Sequence, residues 1–170
     1  MGVNGRIKGR NGERELCKLL SGIFSGSFVR VPHSGAMVGG KNLHRRQTLS
    51  QTQDRSFRGD IIPPDTLPRL VIETKAYGEF RFHQLLQPGP CPLLDDWIDQ
   101  AKTASDPDDQ WFVAFKIKLR GWFVAVPEGT DYTYGNHCAY TGAHGAFRIT
   151  ELSSFFKANR DTVLQKAGPK

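Results

Sequence analysis

The chain has 170 residues, 38% hydrophobic and 24% charged, enough to pack a core as one domain but with no apolar run near the ~20 residues of a bilayer-spanning helix. Its three cysteines, Cys17, Cys91 and Cys138, are odd in number and scattered, which argues against a disulfide framework and for a reducing cytoplasm. The net charge of +6 is uneven: residues 1–60 hold 11 Lys/Arg against 4 Asp/Glu, and residues 61–170 hold 12 against 13. Such a gradient suggests an anionic polymer as partner, most simply nucleic acid.

In chain order, the N-terminus "MGVNGRIKGRNG" is basic and lacks the apolar stretch of a secretory signal; we read residues 1–10 as a flexible arm. "NGERELCKLLSGIF" predicts a helix capped by Asn11, with Leu16, Leu20, Ile23 and Phe24 at helical spacing. "FVRV" (28–31) is a short strand. Residues 34–58 are polar, rich in glycine and arginine and without periodicity, and read as a loop or flap. "GDIIP" (59–63) and "RLVIETKAY" (69–77) are strands joined by a Pro-rich turn, the second apolar enough to be central in its sheet. "LLDDWIDQAKTA" (93–104) predicts a helix, and "QWFVAFKIK" with "GWFVAVP" a hairpin. Residues 128–146 read as irregular, "FRI" as a short strand, and a last helix runs over about 151–165. No repeat or linker divides the chain, and the element order implies a mixed α/β sheet with flanking helices.

"SGAMVGGKN" (34–42) nearly spells a phosphate-binding loop, with Gly35, Gly40 and Lys41 in place. The residue after Lys41 is Asn42, where such a loop needs a Ser or Thr hydroxyl for Mg²⁺. The following residues carry no helical apolar stripe, so the likeness is incidental.

The chemistry lies further on. Glu73 and Lys75, two apart on a strand, project from one face. If Asp60 closes a neighbouring strand, two carboxylates and an ammonium converge at one sheet end. Glu13 adds an acid on the inward stripe of the first helix, whereas Glu15 faces out. Two carboxylates hold a hard divalent cation that keeps waters and accepts phosphate oxygens. The alternative is an ordinary Glu–Lys ion pair on a half-solvated sheet, with Glu13 offsetting its helix dipole.

"ERELCKLL", "PHSGA", "GD" and "VIETKAY" together resemble the PD-(D/E)XK nuclease superfamily, and within it the archaeal-type Holliday-junction resolvases. The likeness covers roughly residues 8–77. It implies a restriction-endonuclease-like mixed central sheet flanked by helices, forming one nuclease domain over 1–170 that works as a homodimer on branched DNA. It also implies Mg²⁺ or Mn²⁺ held by Asp60, Glu73 and the Thr74 carbonyl, with Lys75 assisting the attacking water. Glu13 would help organise the metal, and Ser34 would grip the scissile phosphate. Two departures are visible: a long insertion between Ser34 and Asp60, and Gly59 where the motif has its leading proline. The alternatives are a restriction-like or nicking endonuclease on duplex DNA, and a non-catalytic DNA-binding protein on the same scaffold.

The basic residues Arg6, Lys8, Arg10, Lys41, Arg45, Arg46, Arg55 and Arg58 are candidates for phosphate contacts. Gln100 borders the stripe of its helix, where it could reach the site or be a plain surface residue. His137, Cys138 and His144 lack nearby partners for a four-ligand zinc site. Trp97, Trp111 and Trp122 suit a core or a dimer face.

Overall fold

The computed structural model describes residues 3–32, 48–87, 89–129 and 131–170. It begins with helix α1 (Val3–Phe24), followed by β1 (Val29–Arg30), α2 (Gln51–Ser56), β2 (Ile61–Ile62) and β3 (Leu70–Tyr77). A 3₁₀ turn at Phe82–Leu86 leads to α3 (Pro92–Ala104), then β4 (Gln110–Ile117) and β5 (Gly121–Pro127). The chain ends with β6 (His137–Gly142), β7 (Gly145–Glu151), α4 (Leu152–Ala158) and α5 (Arg160–Ala167).

Five strands form one mixed sheet in the order β3-β4-β5-β7-β6, with β3 and β4 parallel and every other pair antiparallel. The parallel pair needs a crossover, and α3 supplies it. Strand alternation divides the core into two layers. Phe112, Ala114 and Val124 pack with Leu16, Leu20, Phe155, Phe156 and Val163 from α1, α4 and α5. Val113, Phe115 and Ala125 pack with Leu94, Trp97 and Ile98 from α3. Helices on both faces of a mixed sheet give the restriction-endonuclease-like α/β core that the sequence implies.

Several local readings change. The helix begins at Val3, so residues 3–10 are helical rather than a flexible arm, and Asn11 lies inside α1 instead of capping it. Strand β3 sits at the edge of the five-stranded sheet, not its centre. It is apolar nonetheless because α1 and α3 cover its two faces, and the antiparallel ribbon of β1 and β2 runs near its open side. Helix α2 closes the segment read as a loop. Residues 128–146, expected to be irregular, supply all of β6 and the start of β7, whose polar outward positions disguised the alternation. The last helix is divided at Asn159, buried at 2% exposure, whose side chain bonds Thr133 and Phe155 backbone groups.

Candidate active site

The site forms where the chain entering β2 is fastened against the middle of β3. The Asp60 amide donates to the Ile72 carbonyl at 3.0 Å, and the Thr74 amide donates to Asp60 Oδ2 at 2.8 Å. Gly59 permits this approach. Its φ is +63°, and a Cβ there would lie 2.6 Å from the Ile72 carbonyl oxygen. A proline, held near φ −65°, could not occupy that position.

Glu73, Lys75 and Glu13 all lie near enough to feel the charge of the Asp60 carboxylate. Lys75 Nζ donates to Glu73 Oε1 at 2.7 Å and to Gln100 Oε1 at 2.5 Å. Gln100 in turn donates from Nε2 to Asp96 Oδ2 at 2.8 Å. Glu73 and Lys75 therefore share the sheet face covered by α3, as alternation requires. Gln100, ambiguous in the sequence, reaches the lysine because it lies one turn beyond Asp96 on the border of the buried stripe Leu94, Trp97, Ile98 and Ala101. From the other layer, Glu13 lies one turn before buried Cys17 on α1 and ion-pairs with Arg30 Nε of β1. Neither Arg30 nor Asp96 was singled out in the sequence, since nothing local marks a partner that topology supplies.

The electrostatics show a site short of positive charge. Burial, then the neighbouring Asp60 carboxylate, push the Glu73 carboxyl up to about 7 against the opposing pull of Lys75. Glu13 is raised for the same two reasons, burial first and Asp60 second, with Arg30 opposing. Burial would lower the Lys75 ammonium, but the charges of Glu73 and Asp60 outweigh it and hold the lysine above its usual range. The Thr74 hydroxyl is buried without a hydrogen-bond partner among the described residues. Paired oxygen donors that resist sharing negative charge suit a hard divalent cation. Among the described residues, no three His, Cys, Asp or Glu side chains are grouped closely enough to hold a metal ion by themselves, so a cation here would complete its shell with backbone oxygen, water and substrate.

The basic candidates are dispersed. Arg6, Lys8 and Arg10 fall on α1 and Arg55 on α2; Ser34, Lys41, Arg45 and Arg46 lie outside the described residues. Arg58, assigned to a phosphate from sequence, has its guanidinium enclosed by carboxylates. It bonds Asp54 Oδ2 at 2.5 Å, Asp106 Oδ2 at 2.5 Å and Asp109 Oδ2 at 2.7 Å. That clasp ties α2 to the turn before β4, two residues upstream of Asp60. No helix among the described residues is long and apolar enough to cross a membrane.

The family model described as "Phage putative PDDEXK endonuclease" matches residues 4–153. This span takes in Glu13, Asp60, Glu73, Lys75 and Gln100. No curated protein and no solved structure matches the chain.

Proposed function

From the premise that the chain belongs to the phage PDDEXK endonuclease family, we propose that it hydrolyses phosphodiester bonds in DNA with the help of Mg²⁺ or Mn²⁺, acting as a single nuclease domain on branched substrates such as four-way junctions. The observation that carries this reading is the fastening of Asp60 to Thr74 at 2.8 Å, which brings a second carboxylate beside Glu73. Asp60, Glu73 and the Thr74 carbonyl would hold the cation, with Glu13 supporting it through water. Bound there, the cation supplies Lewis-acid polarisation of the phosphate and a more acidic water.

Lys75 stays protonated between Glu73 and Gln100. It therefore orients the attacking water and stabilises charge on the phosphoryl oxygens rather than accepting a proton. Gln100 fixes the ammonium, and Asp96 fixes which end of the Gln100 amide faces it. The expected products are a 5′-phosphate and a 3′-hydroxyl. Arg6, Lys8, Arg10, Lys41, Arg45, Arg46 and Arg55 would contact phosphates, with Ser34 near the scissile one. In this scheme Arg58 anchors the basic segment instead of touching DNA. A homodimer would present two such sites to a junction.

The test is incubation of the purified protein with a four-way junction and with its linear duplex, with and without Mg²⁺. Paired symmetric nicks in the junction alone support the reading. Cleavage of the duplex would move the assignment to a restriction-like or nicking enzyme, and DNA shifted but uncut would overturn the nuclease.

A further inference from the structure

The turn between β4 and β5 has a feature that the hydrolytic site leaves unused. Ile117 pairs with Gly121, so residues 118–120 form the tip of a hairpin. Leu119 stands at its apex with 92% of its surface exposed, the most exposed large hydrophobic side chain among the described residues. Its φ is +62°, a left-handed conformation that side chains other than glycine rarely adopt. Lys118 and Arg120 flank it, both exposed, and neither is in an ion pair among the described residues. The left-handed φ serves the turn, which the Arg120 amide closes on the Ile117 carbonyl at 3.0 Å, but a solvated leucine is not needed there, since glycine is the residue such a position favours.

Its position relates it to the catalytic strand. The Lys118 amide donates to the Tyr77 carbonyl at 3.1 Å, so the tip lies just past the end of β3, which carries Glu73 and Lys75. Beneath it opens a groove of about 1240 Å³, on the sheet face that also bears Glu73 and Lys75. Phe82 and Phe123, with ring centroids 4.9 Å apart, form part of its wall. Two acids also line the groove: Glu79, exposed and 4.0 Å from Arg81, and Glu151, which accepts the Ser153 and Ser154 amides as the cap of α4.

We infer that the tip Lys118-Leu119-Arg120 is a second DNA subsite, in which Leu119 wedges against the last stacked base pair at a branch while the two cations hold the phosphates of the diverging strand along the groove. Apolar side chains flanked by basic ones unstack base steps in this way, and paired phosphate contacts give the attachment. A second copy of the chain fits less well, because two such tips meeting face to face would bring four cations together. The inference rests on the DNA-nuclease reading and names the structural feature its substrate must have, an interruption of stacking.

The test uses full-length protein in buffer free of divalent cations with a forked duplex carrying 2-aminopurine at the fork. The unaltered protein should raise the fluorescence at least twofold on binding. Leu119→Gly, which suits the left-handed backbone and so keeps the fold, should bind yet give no rise. Replacing Lys118 and Arg120 together by Ala should reduce the slope of log affinity against log salt by about 0.7–0.9 per residue. An undiminished rise with Leu119→Gly, an unchanged salt slope, a dimer lost on Leu119→Gly in sedimentation, or no binding to the fork at all would overturn the subsite. The nuclease reading is judged separately, by Mg²⁺-dependent cleavage with the unaltered protein, so the two can fail independently.

Discussion

The Thr74 amide holds Asp60 Oδ2 at 2.8 Å across a separation of 14 residues. One hydrogen bond thereby joins an acid at the mouth of the β1–β2 ribbon to the backbone of the strand bearing Glu73 and Lys75. Because the donor is a main-chain group, the pairing survives side-chain substitution on β3. Changes at Glu73 or Lys75 should therefore affect chemistry more than architecture. Glu73→Gln and Lys75→Ala are each expected to lower cleavage by at least ~10²–10³-fold, the scale of losing one preorganised electrostatic contact. DNA binding should stay within a few-fold, as checked by gel shift alongside a nicking assay.

Glu73 also sets a pH dependence. Its folded-state carboxyl is raised to about 7, above the ordinary 4.5, so between those values the folded protein holds a proton that the unfolded chain has released. Stability in the absence of divalent cation should then fall as pH rises from about 4.5 to 7 and level off above. Glu73→Gln should remove its share of that slope and leave the share of Glu13, which is raised too, and Mg²⁺ should raise Tm more at pH 8 than at pH 5.5, since protons compete for the same oxygen. Thermal unfolding across this range, with and without Mg²⁺, reads all three effects.

Gly59→Ala should damage both stability and activity. The left-handed φ of +63° and a Cβ contact of 2.6 Å with the Ile72 carbonyl predict a loss of about 2 kcal/mol or more. Urea unfolding measures the loss. Relief of the clash would pull Asp60 from Thr74, so residual folded protein should cleave poorly even at saturating Mg²⁺.

Arg58→Ala leaves Asp54, Asp106 and Asp109 facing one another without their guanidinium. Stability should fall by roughly 3–5 kcal/mol, the range for removing one partner of a buried ion pair. Arg58→Lys should recover little of it, because an ammonium cannot span three carboxylates as the planar fork does. The salt slope of DNA binding should not change in Arg58→Ala, whereas a phosphate contact at this position would make that variant lower it.

Gln100→Ala should reduce cleavage by about 10–100-fold, the usual cost of losing a residue that orients a reacting group, with little effect on Tm because the side chain is exposed. Asp96→Ala should give a smaller loss of the same kind. Additive losses in the double variant would contradict the chain from Asp96 through Gln100 to Lys75.

Much of the candidate site's geometry was legible because strand alternation is local. Glu73 and Lys75 share a face for a reason visible in "IETKAY", and helical spacing turns Glu13 inward while leaving Glu15 exposed. The partners were not legible. Gln100 meets Lys75 because α3 crosses the sheet between two parallel strands, and Arg30 meets Glu13 because β1 lies beside α1; neither approach is encoded within a few residues. The edge position of β3 was hidden for the opposite reason, since its burial comes from flanking helices rather than from strands on both sides. Arg58 reads as a phosphate contact in a basic segment because two of its three acidic neighbours, Asp106 and Asp109, lie 48 and 51 positions away.

The most direct test is a crystal of the protein grown with Mn²⁺, with anomalous data collected to locate the ion. The account predicts a single strong peak roughly 2 Å from carboxylate oxygens of both Asp60 and Glu73, absent in Asp60→Asn crystals. A peak bound to only one of the two acids, or none at Mn²⁺ concentrations that support full cleavage, would contradict it.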